Sequence, residues 1–143
     1  MTRGTELTAK VVEALEQIRG SNDYETTLAA VYPPLTKAPS QGPLPYALVR
    51  VTNDRIEKVT GRTVKRVRTY EIEIGFSRST PWQAVETAHH DLLRAFGVGQ
   101  LQPGRRLPGW ADEEEVDYFP ADVDGSTVSR LICSFSAAYV ETY

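Results

Sequence analysis

The feature that most constrains the fold is a strict alternation of side chains that ends at Phe76. Tyr70, Ile72, Ile74 and Phe76 point to one side of an extended chain, and Thr69, Glu71 and Glu73 point to the other. Such alternation is typical of an antiparallel strand with one buried face and one face in water. The preceding run YALVRV is apolar on both sides, and Thr60-Gly61-Arg62 is the best turn between the two strands. The sequence therefore predicts one long hairpin over residues 46–76, whose tip projects beyond the sheet.

Two amphipathic helices are predicted to cover the apolar face of this sheet. The first spans residues 6–19, has its apolar residues at helical spacing and ends at Gly20 as its cap. The second spans residues 81–96, begins after Thr80 as N-cap and stops at Gly97. Its apolar stripe comprises Trp82, Val85, His89, Leu92, Leu93 and Phe96.

These elements predict an α+β fold in a single domain that covers residues 1–143. We expect a mainly antiparallel or mixed sheet of about four to six strands, with both helices on one face. Residues 24–32 form a weak strand in this prediction, and the alternating run around Cys133 forms the closing strand. At 143 residues the chain is long enough to bury one substantial core.

Charge is unevenly distributed along a chain whose net charge is −3. Between residues 50 and 68, seven basic side chains stand against two acidic ones. The basic ones are Arg50, Arg55, Lys58, Arg62, Lys65, Arg66 and Arg68. Residues 112–124 contain seven acidic side chains and no basic one, namely Asp112, Glu113, Glu114, Glu115, Asp117, Asp122 and Asp124. We therefore predict two oppositely charged patches on different flanks of the subunit.

The two patches are predicted to meet across a boundary between subunits, or the hairpin to line the lumen of a ring. In a head-to-tail cyclic assembly two different surfaces meet, and opposite charge favours that contact. The residues of this interface would be Arg55, Lys58, Arg62, Lys65, Arg66, Arg68, Asp112, Glu113, Glu114, Glu115 and Asp117. Reversal of Arg62, Lys65 and Arg66 to Glu is expected to block assembly without loss of folding. A merely solvated hairpin and a phosphate-binding hairpin are the two alternatives.

Two loops rich in proline and glycine are predicted to dock onto partners. They span residues 33–45 and 98–110, and their length favours a functional role. In the second loop the candidate contact residues are Arg105, Arg106 and Trp110, with Trp110 as an exposed anchor.

No residue pattern predicts a catalytic, metal or cofactor site. His89 and His90 are adjacent on a helix, so their side chains diverge by about 100° and cannot hold one ion together. His89 is interpreted as a core histidine and Cys133 as a buried inert thiol. The acidic run lacks the glycine-punctuated spacing of a calcium loop, and the sequence contains no phosphate loop or hydrolase signature. We therefore expect a protein that is not an enzyme.

The single cysteine and the polar N-terminus favour a cytoplasmic environment. Cys133 has no second cysteine to pair with, and nothing else points to an oxidising compartment. The sequence contains neither an apolar leader region nor an apolar stretch near the ~20 residues of a membrane span. We expect no secretion by that route and no membrane partner.

The order of these elements resembles the tail terminator family of long-tailed bacteriophages, also called minor tail or tail completion proteins. The resemblance covers nearly the whole chain. It rests on the first helix, the proline-rich loop, the strand PLPYALVRV, the long hairpin, the capped helix TPWQAVETAHHDLLRAFG and the closing strand VSRLICSFSAAYV. It implies a small protein whose helices pack on a mainly antiparallel sheet, without enzymatic activity.

The same resemblance implies a structural role in the neck of the virion. Members of the family form a hexameric ring that stops growth of the tail tube and joins the tail to the head. The expected partners are further copies of the chain, the tail tube protein on one face and a head-completion or connector protein on the other. Genome DNA would pass through the lumen without specific binding, and assembly would occur in the bacterial cytoplasm. A head-tail connector of similar outline is the first alternative, and a nucleic-acid-binding module is the second.

Overall fold

The computed structural model describes residues 1–99, 107–122 and 126–143. Within these ranges the chain forms α1 (Arg3–Glu16), β1 (Ala30–Tyr32), β2 (Tyr46–Thr60), β3 (Thr63–Phe76), α2 (Trp82–Ala95), β4 (Trp110–Phe119) and β5 (Ser129–Thr142). The strands form one sheet in the order β1-β2-β3-β5-β4, in which β1 is parallel to β2 and the other pairs are antiparallel. The predicted α+β class with a mixed, mostly antiparallel sheet is confirmed.

The long hairpin spans the predicted residues. β2 and β3 pair along their length, and Thr60 lies opposite Thr63 at the tip. The turn holds Gly61 at a φ of 62°, a backbone conformation that glycine adopts without strain. The tip does not project as an isolated hairpin, because β5 pairs with β3 all the way to Thr142. This end of the sheet is three-stranded, and we call it the arm: residues 51–60, 63–69 and 136–142.

The core lies between the two helices and one face of the sheet. The alternation predicted for β3 is confirmed, since four of its side chains are buried on that face: Tyr70, Ile72, Ile74 and Phe76. Leu92 of α2 is fully buried, and Phe96 packs on Phe135 of β5 with ring centroids 5.0 Å apart. Leu7 and Leu15 of α1 enter the same apolar cluster. One cluster therefore holds both helices against the same face, and we call the opposite side of the sheet the outer face.

The first helix is shifted relative to its predicted bounds. It begins three residues earlier, because the Thr2 hydroxyl accepts a hydrogen bond from the Thr5 amide at 3.0 Å and caps the first turn. It ends at Glu16, so the prediction that Gly20 caps it is wrong. A short 3-10 helix at Gly20–Asn22 follows instead.

The second helix differs from its prediction at its start. Its N-cap is Pro81 rather than Thr80, because the Thr80 hydroxyl bonds to the Ser77 hydroxyl at 2.9 Å. Trp82 is 54% exposed, so it does not belong to the buried stripe. The helix stops at the predicted place, where Gly97 has a φ of 87°.

A buried carboxylate on α2 fixes the segment that leads to β1. Asp91 is 1% exposed, and its Oδ2 accepts a hydrogen bond from the Thr26 amide at 2.7 Å. Its Oδ1 lies 3.3 Å from Arg94 Nη1. These hydrogen bonds compensate the buried charge of Asp91. An acidic side chain can therefore lie in the core, although the predicted apolar stripe of the helix did not include it.

Candidate functional site

The basic segment forms a free edge of the sheet. β1 pairs only with the first three residues of β2. Residues 51–60 therefore have β3 on one side and no strand of the described ranges on the other. We call them the basic edge because Arg55 and Lys58 lie on their outer face, although Asp54 and Glu57 balance these two charges within the stretch. Its pairing is irregular between Val51 and Asn53 and between Ile56 and Lys58. Such irregularities twist an edge and disfavour uncontrolled strand addition.

Asp54 is the centre of an ion cluster within the arm. Its two carboxylate oxygens accept hydrogen bonds from Arg66 Nε and Arg68 Nε, each at 2.7 Å. The Tyr139 hydroxyl donates a further bond at 2.5 Å. Burial alone would raise the pKa of Asp54, but these hydrogen bonds outweigh it and hold the pKa below its usual value. Arg68 also donates to the Gly4 carbonyl at 2.7 Å, so the cluster joins the arm to α1.

Four of the basic residues predicted to face a neighbouring subunit have partners within the chain, namely Arg62, Lys65, Arg66 and Arg68. Asp54 holds the last two, Lys65 Nζ lies 3.2 Å from Glu57 Oε2, and Arg62 Nε donates to the Tyr143 carbonyl at 2.6 Å. These partners belong to the hairpin itself and to Tyr143, not to the acidic segment, so contact between the two charged segments across a subunit boundary stays a prediction. The side chains pair within the subunit because the hairpin brings acceptors on the adjacent strands into reach. Reversal of Arg66 would break a partly buried ion pair, so it is not a clean test of assembly.

Arg55 and Lys58 are the cations of the basic edge that remain available to a partner. Both are exposed, and neither forms an ion pair with any residue of the described ranges. Through their pairing with β3, both project from the outer face. Ile56 and Val59 of the same edge are also more than half exposed, and the register places them on the helix side of the sheet. A mixture of cationic and exposed apolar side chains is suited to a protein interface.

The acidic segment forms a second free edge. β4 pairs with β5 on one side and has no neighbour on the other among the described strands, and we call β4 the acidic edge. Glu113, Glu115 and Asp117 are exposed, and the pairing with β5 places the last two on the outer face. The sequence pattern did not predict this strand, because acidic residues are depleted in strands.

Unlike Glu115 and Asp117, Glu114 faces the helices. Its Oε1 lies 3.3 Å from His89 Nε2 on α2, and its Oε2 accepts a hydrogen bond from the Cys133 thiol at 3.1 Å. Burial, and then the bond to Glu114, raise the pKa of Cys133 well above its usual value. The prediction that Glu114 belongs to the partner-facing surface is wrong, because the alternation of β4 turns it inward.

The predicted docking residues of the second loop are only partly described. Arg105 and Arg106 lie outside the described residues, and so does the side chain of Asp112. Trp110 is half-buried at the start of β4 and stacks on Phe135 with ring centroids 4.5 Å apart. The expectation of an exposed loop tryptophan is therefore wrong, since this ring extends the core.

The outer face contains a buried ionic cluster that the alternation of β3 did not reveal. Glu73 is 5% exposed although it lies on the face predicted to be wet. The Tyr46 hydroxyl donates to Glu73 Oε2 at 2.7 Å, and Arg50 donates to Oε1 at 3.2 Å. Arg130 Nη1 lies 3.6 Å from the same Oε1. The cluster links β2, β3 and β5, so it stabilises the sheet between the two charged edges.

A groove of about 1020 Å³ lies between α1, the proline-rich loop and β2. Ala9, Val12 and Pro34 are among its apolar walls, and Leu35 stands at its rim. Leu35 is fully exposed and has a φ of 66°, a left-handed conformation that bulky residues rarely adopt. Strain of this kind is concentrated at functional sites. Docking through this loop stays a prediction, and the groove supplies the surface for it.

The two charged edges lie on opposite sides of one sheet. The strand order places β3 and β5 between the basic edge and the acidic edge. Two acidic edges repel each other, whereas Arg55 and Lys58 on the outer face of the basic edge attract the carboxylates of an acidic edge. The arrangement therefore disfavours contact between identical surfaces and favours head-to-tail contact between different ones.

Comparison with known proteins assigns no family to this chain. A scan with protein-family models found no match, and neither did a search of curated proteins. Among the described residues, no helix combines the length and the apolar character needed to span a membrane. The geometry of the two edges is therefore the basis of the functional proposal.

Proposed function

We propose that this protein is a structural component of a phage virion and forms a closed ring at the end of the tail tube. In this role it is a tail terminator, a hexameric ring that caps the tube, stops its polymerisation and provides the joint to the head. The tail tube protein binds one face, and a head-completion or connector protein binds the other. Genome DNA passes through the lumen without specific binding. The observation that carries the proposal is the pair of oppositely charged edges on opposite sides of one sheet.

Contacts between unlike edges leave the same two edges free after every addition, and they form a ring when the rotation from one subunit to the next closes on itself. Arg55 and Lys58 of one subunit then meet Glu115 and Asp117 of the next. An exposed ion pair contributes only about 0.2–1 kcal/mol. Charge therefore selects partner and register, while exposed apolar side chains such as Ile56 contribute contact area.

Features outside the edges support a place in the tail neck. The order of helix, proline-rich loop, long hairpin, second helix and closing strand is the order that resembles the tail terminator family. The groove beside α1 and the exposed Leu35 at its rim offer an apolar surface for a tube or head partner.

Mass measurement tests the proposal. The purified protein is measured alone, after mixing with cognate tail tubes, and after mixing with head connectors. We expect a ring-sized species alone or with tubes, and its presence at tube ends. A strictly monomeric protein in all three samples would contradict the proposal. Rings that bind connectors but not tubes would instead favour a head-tail connector.

Nucleic-acid binding has less support than assembly. Asp54 neutralises part of the charge of Arg66 and Arg68, so fewer cations of the arm are available for phosphates. Binding to short duplexes that weakens steeply with added salt would favour this alternative.

A further inference from the structure

Three side chains with metal-binding atoms converge beneath the acidic edge. They are His89 of α2, Glu114 of β4 and Cys133 of β5, and their ligand atoms all lie within 4.8 Å of one another. Glu114 lies between the other two, 3.3 Å from His89 Nε2 and 3.1 Å from Cys133 Sγ. The three come from distant parts of the chain, so the cluster exists only in the folded subunit.

The ring nitrogen of His89 gives an independent reason to look for a ligand. Nε2 is buried and has no hydrogen-bond partner among the described residues. Its approach to Glu114 is an ion pair only when the imidazole is protonated. Buried polar atoms are satisfied in most structures. A cation between the three side chains would satisfy this nitrogen while the imidazole stays neutral.

The ligand set matches zinc better than the hard cations. Zn²⁺ accepts histidine nitrogen, cysteine thiolate and carboxylate oxygen at about 2.0–2.3 Å in a tetrahedral site. At these bond lengths neighbouring ligand atoms are about 3.3–3.8 Å apart. The ligand atoms that are farthest apart, within 4.8 Å, would therefore have to approach by about 1 Å, whereas Glu114 and Cys133, now 3.1 Å apart, would separate slightly. Calcium and magnesium prefer sites made only of oxygen.

We propose that His89, Glu114 and Cys133 bind one zinc ion, with water as the fourth ligand. On binding, the Cys133 thiol loses its proton to solvent and the thiolate sulfur forms the bond to zinc. Affinity therefore falls as the pH is lowered. The ion ties α2 and β5 to β4 and so fixes the acidic edge against the core. This proposal does not depend on ring formation.

Cobalt titration tests the site, because Co²⁺ replaces Zn²⁺ and its thiolate bond absorbs in the near ultraviolet. Tag-free protein is stripped with EDTA, dialysed and titrated with Co²⁺ under reducing conditions. One equivalent is expected to produce the sulfur-to-cobalt band, and one equivalent of Zn²⁺ is expected to remove it. Zn²⁺ should also raise the Tm of the stripped protein, since it binds the folded state.

Single substitutions locate the ligands. We expect Cys133→Ser, Glu114→Gln and His89→Gln each to lose the tight cobalt binding and the rise in Tm. The matched controls His90→Gln and Glu86→Gln alter exposed side chains of α2 and should retain both. If Cys133→Ser does not fold, the loss or retention of cobalt binding in Glu114→Gln decides whether the site exists. A parent protein without the band, or unchanged binding in Glu114→Gln and His89→Gln, would overturn the proposal and leave only a hydrogen-bonded cluster.

Discussion

Among single residues, Asp54 decides how much positive charge the arm offers to a partner. Its carboxylate holds Arg66 and Arg68 on the helix side of the sheet. Arg55 and Lys58 lie on the outer face without such a partner in the described ranges. The charge available for assembly is therefore concentrated in two side chains rather than spread over the whole basic segment.

Replacement of Asp54 by Asn should make stability less sensitive to acid. The folded pKa of Asp54 lies below its unfolded value, so its stabilising contribution is fully present above about pH 3.9. That contribution is lost as the pH falls through the folded pKa. The parent should therefore lose more free energy of unfolding than Asp54→Asn between about pH 5 and pH 2. Urea denaturation measures both losses, and equal losses would contradict the cluster. The exposed Glu57→Gln is the control and should behave like the parent.

Leu92→Ala should destabilise the subunit by about 2–5 kcal/mol, because Leu92 is fully buried between α2 and the sheet. His90→Ala, on the exposed side of the same helix, should change the free energy of unfolding by less than about 0.5 kcal/mol. Thermal melts compare the two variants. A larger loss for His90→Ala would mean that the opposite face of α2 packs inward.

Among the elements, those with a strong period were predictable and the acidic strand was not. The alternation of β3, the turn at Gly61 and the stop of α2 at Gly97 follow from local chemistry, and the structure confirms them. In β4 the apolar side chains that pack against the core are Trp110, Val116 and Tyr118, and the acidic residues between the first two hide the strand period. Register with β5 determines this strand, and a single sequence does not contain that register.

The candidate site was predictable in its charges but not in its contacts. Charge segregation identified both edges, because net charge is a property of the segment alone. The pairing of Arg68 with Asp54 depends on the register shifts within the hairpin, and the inward turn of Glu114 depends on the pairing of β4 with β5. The proposed metal site was not predictable from the sequence, because the only candidate ligand adjacent to His89 in the helix is His90. Glu114 and Cys133 come close to His89 only when β4 and β5 pair in the folded subunit.

The proline-rich loop should be the element that gains most order when a partner binds. Between Pro33 and Pro45 its backbone makes few hydrogen bonds, among them Thr36 to Pro33 and Gly42 to Pro39. Amides of residues 35–44 should therefore exchange rapidly in the free protein and slowly in the complex with tail tubes. Hydrogen exchange followed by mass spectrometry measures this. If the amides of this loop are already fully protected from exchange before the tail tubes are added, the loop does not become ordered on binding.

For the whole molecule, the central claim is that unlike edges join subunits into a ring. Each contact uses the basic edge of one subunit and the acidic edge of the next. If the charge of one edge is reversed, both edges of that chain carry the same sign. Two copies of that chain then repel each other at every edge contact. Two chains reversed at different edges complement each other, but they can alternate only in a ring with an even number of subunits. A hexamer meets that condition.

The most direct test is the mass of two charge-reversed chains, measured separately and as an equimolar mixture under conditions in which the parent forms rings. One chain carries Arg55→Glu and Lys58→Glu, and the other carries Glu115→Lys and Asp117→Lys. We predict that each chain alone folds but stays monomeric, and that the mixture gives alternating rings that dissociate more readily as salt shortens the Debye length below ~8 Å. Rings formed by either chain alone, or a mixture that stays monomeric, would contradict assembly through the charged edges.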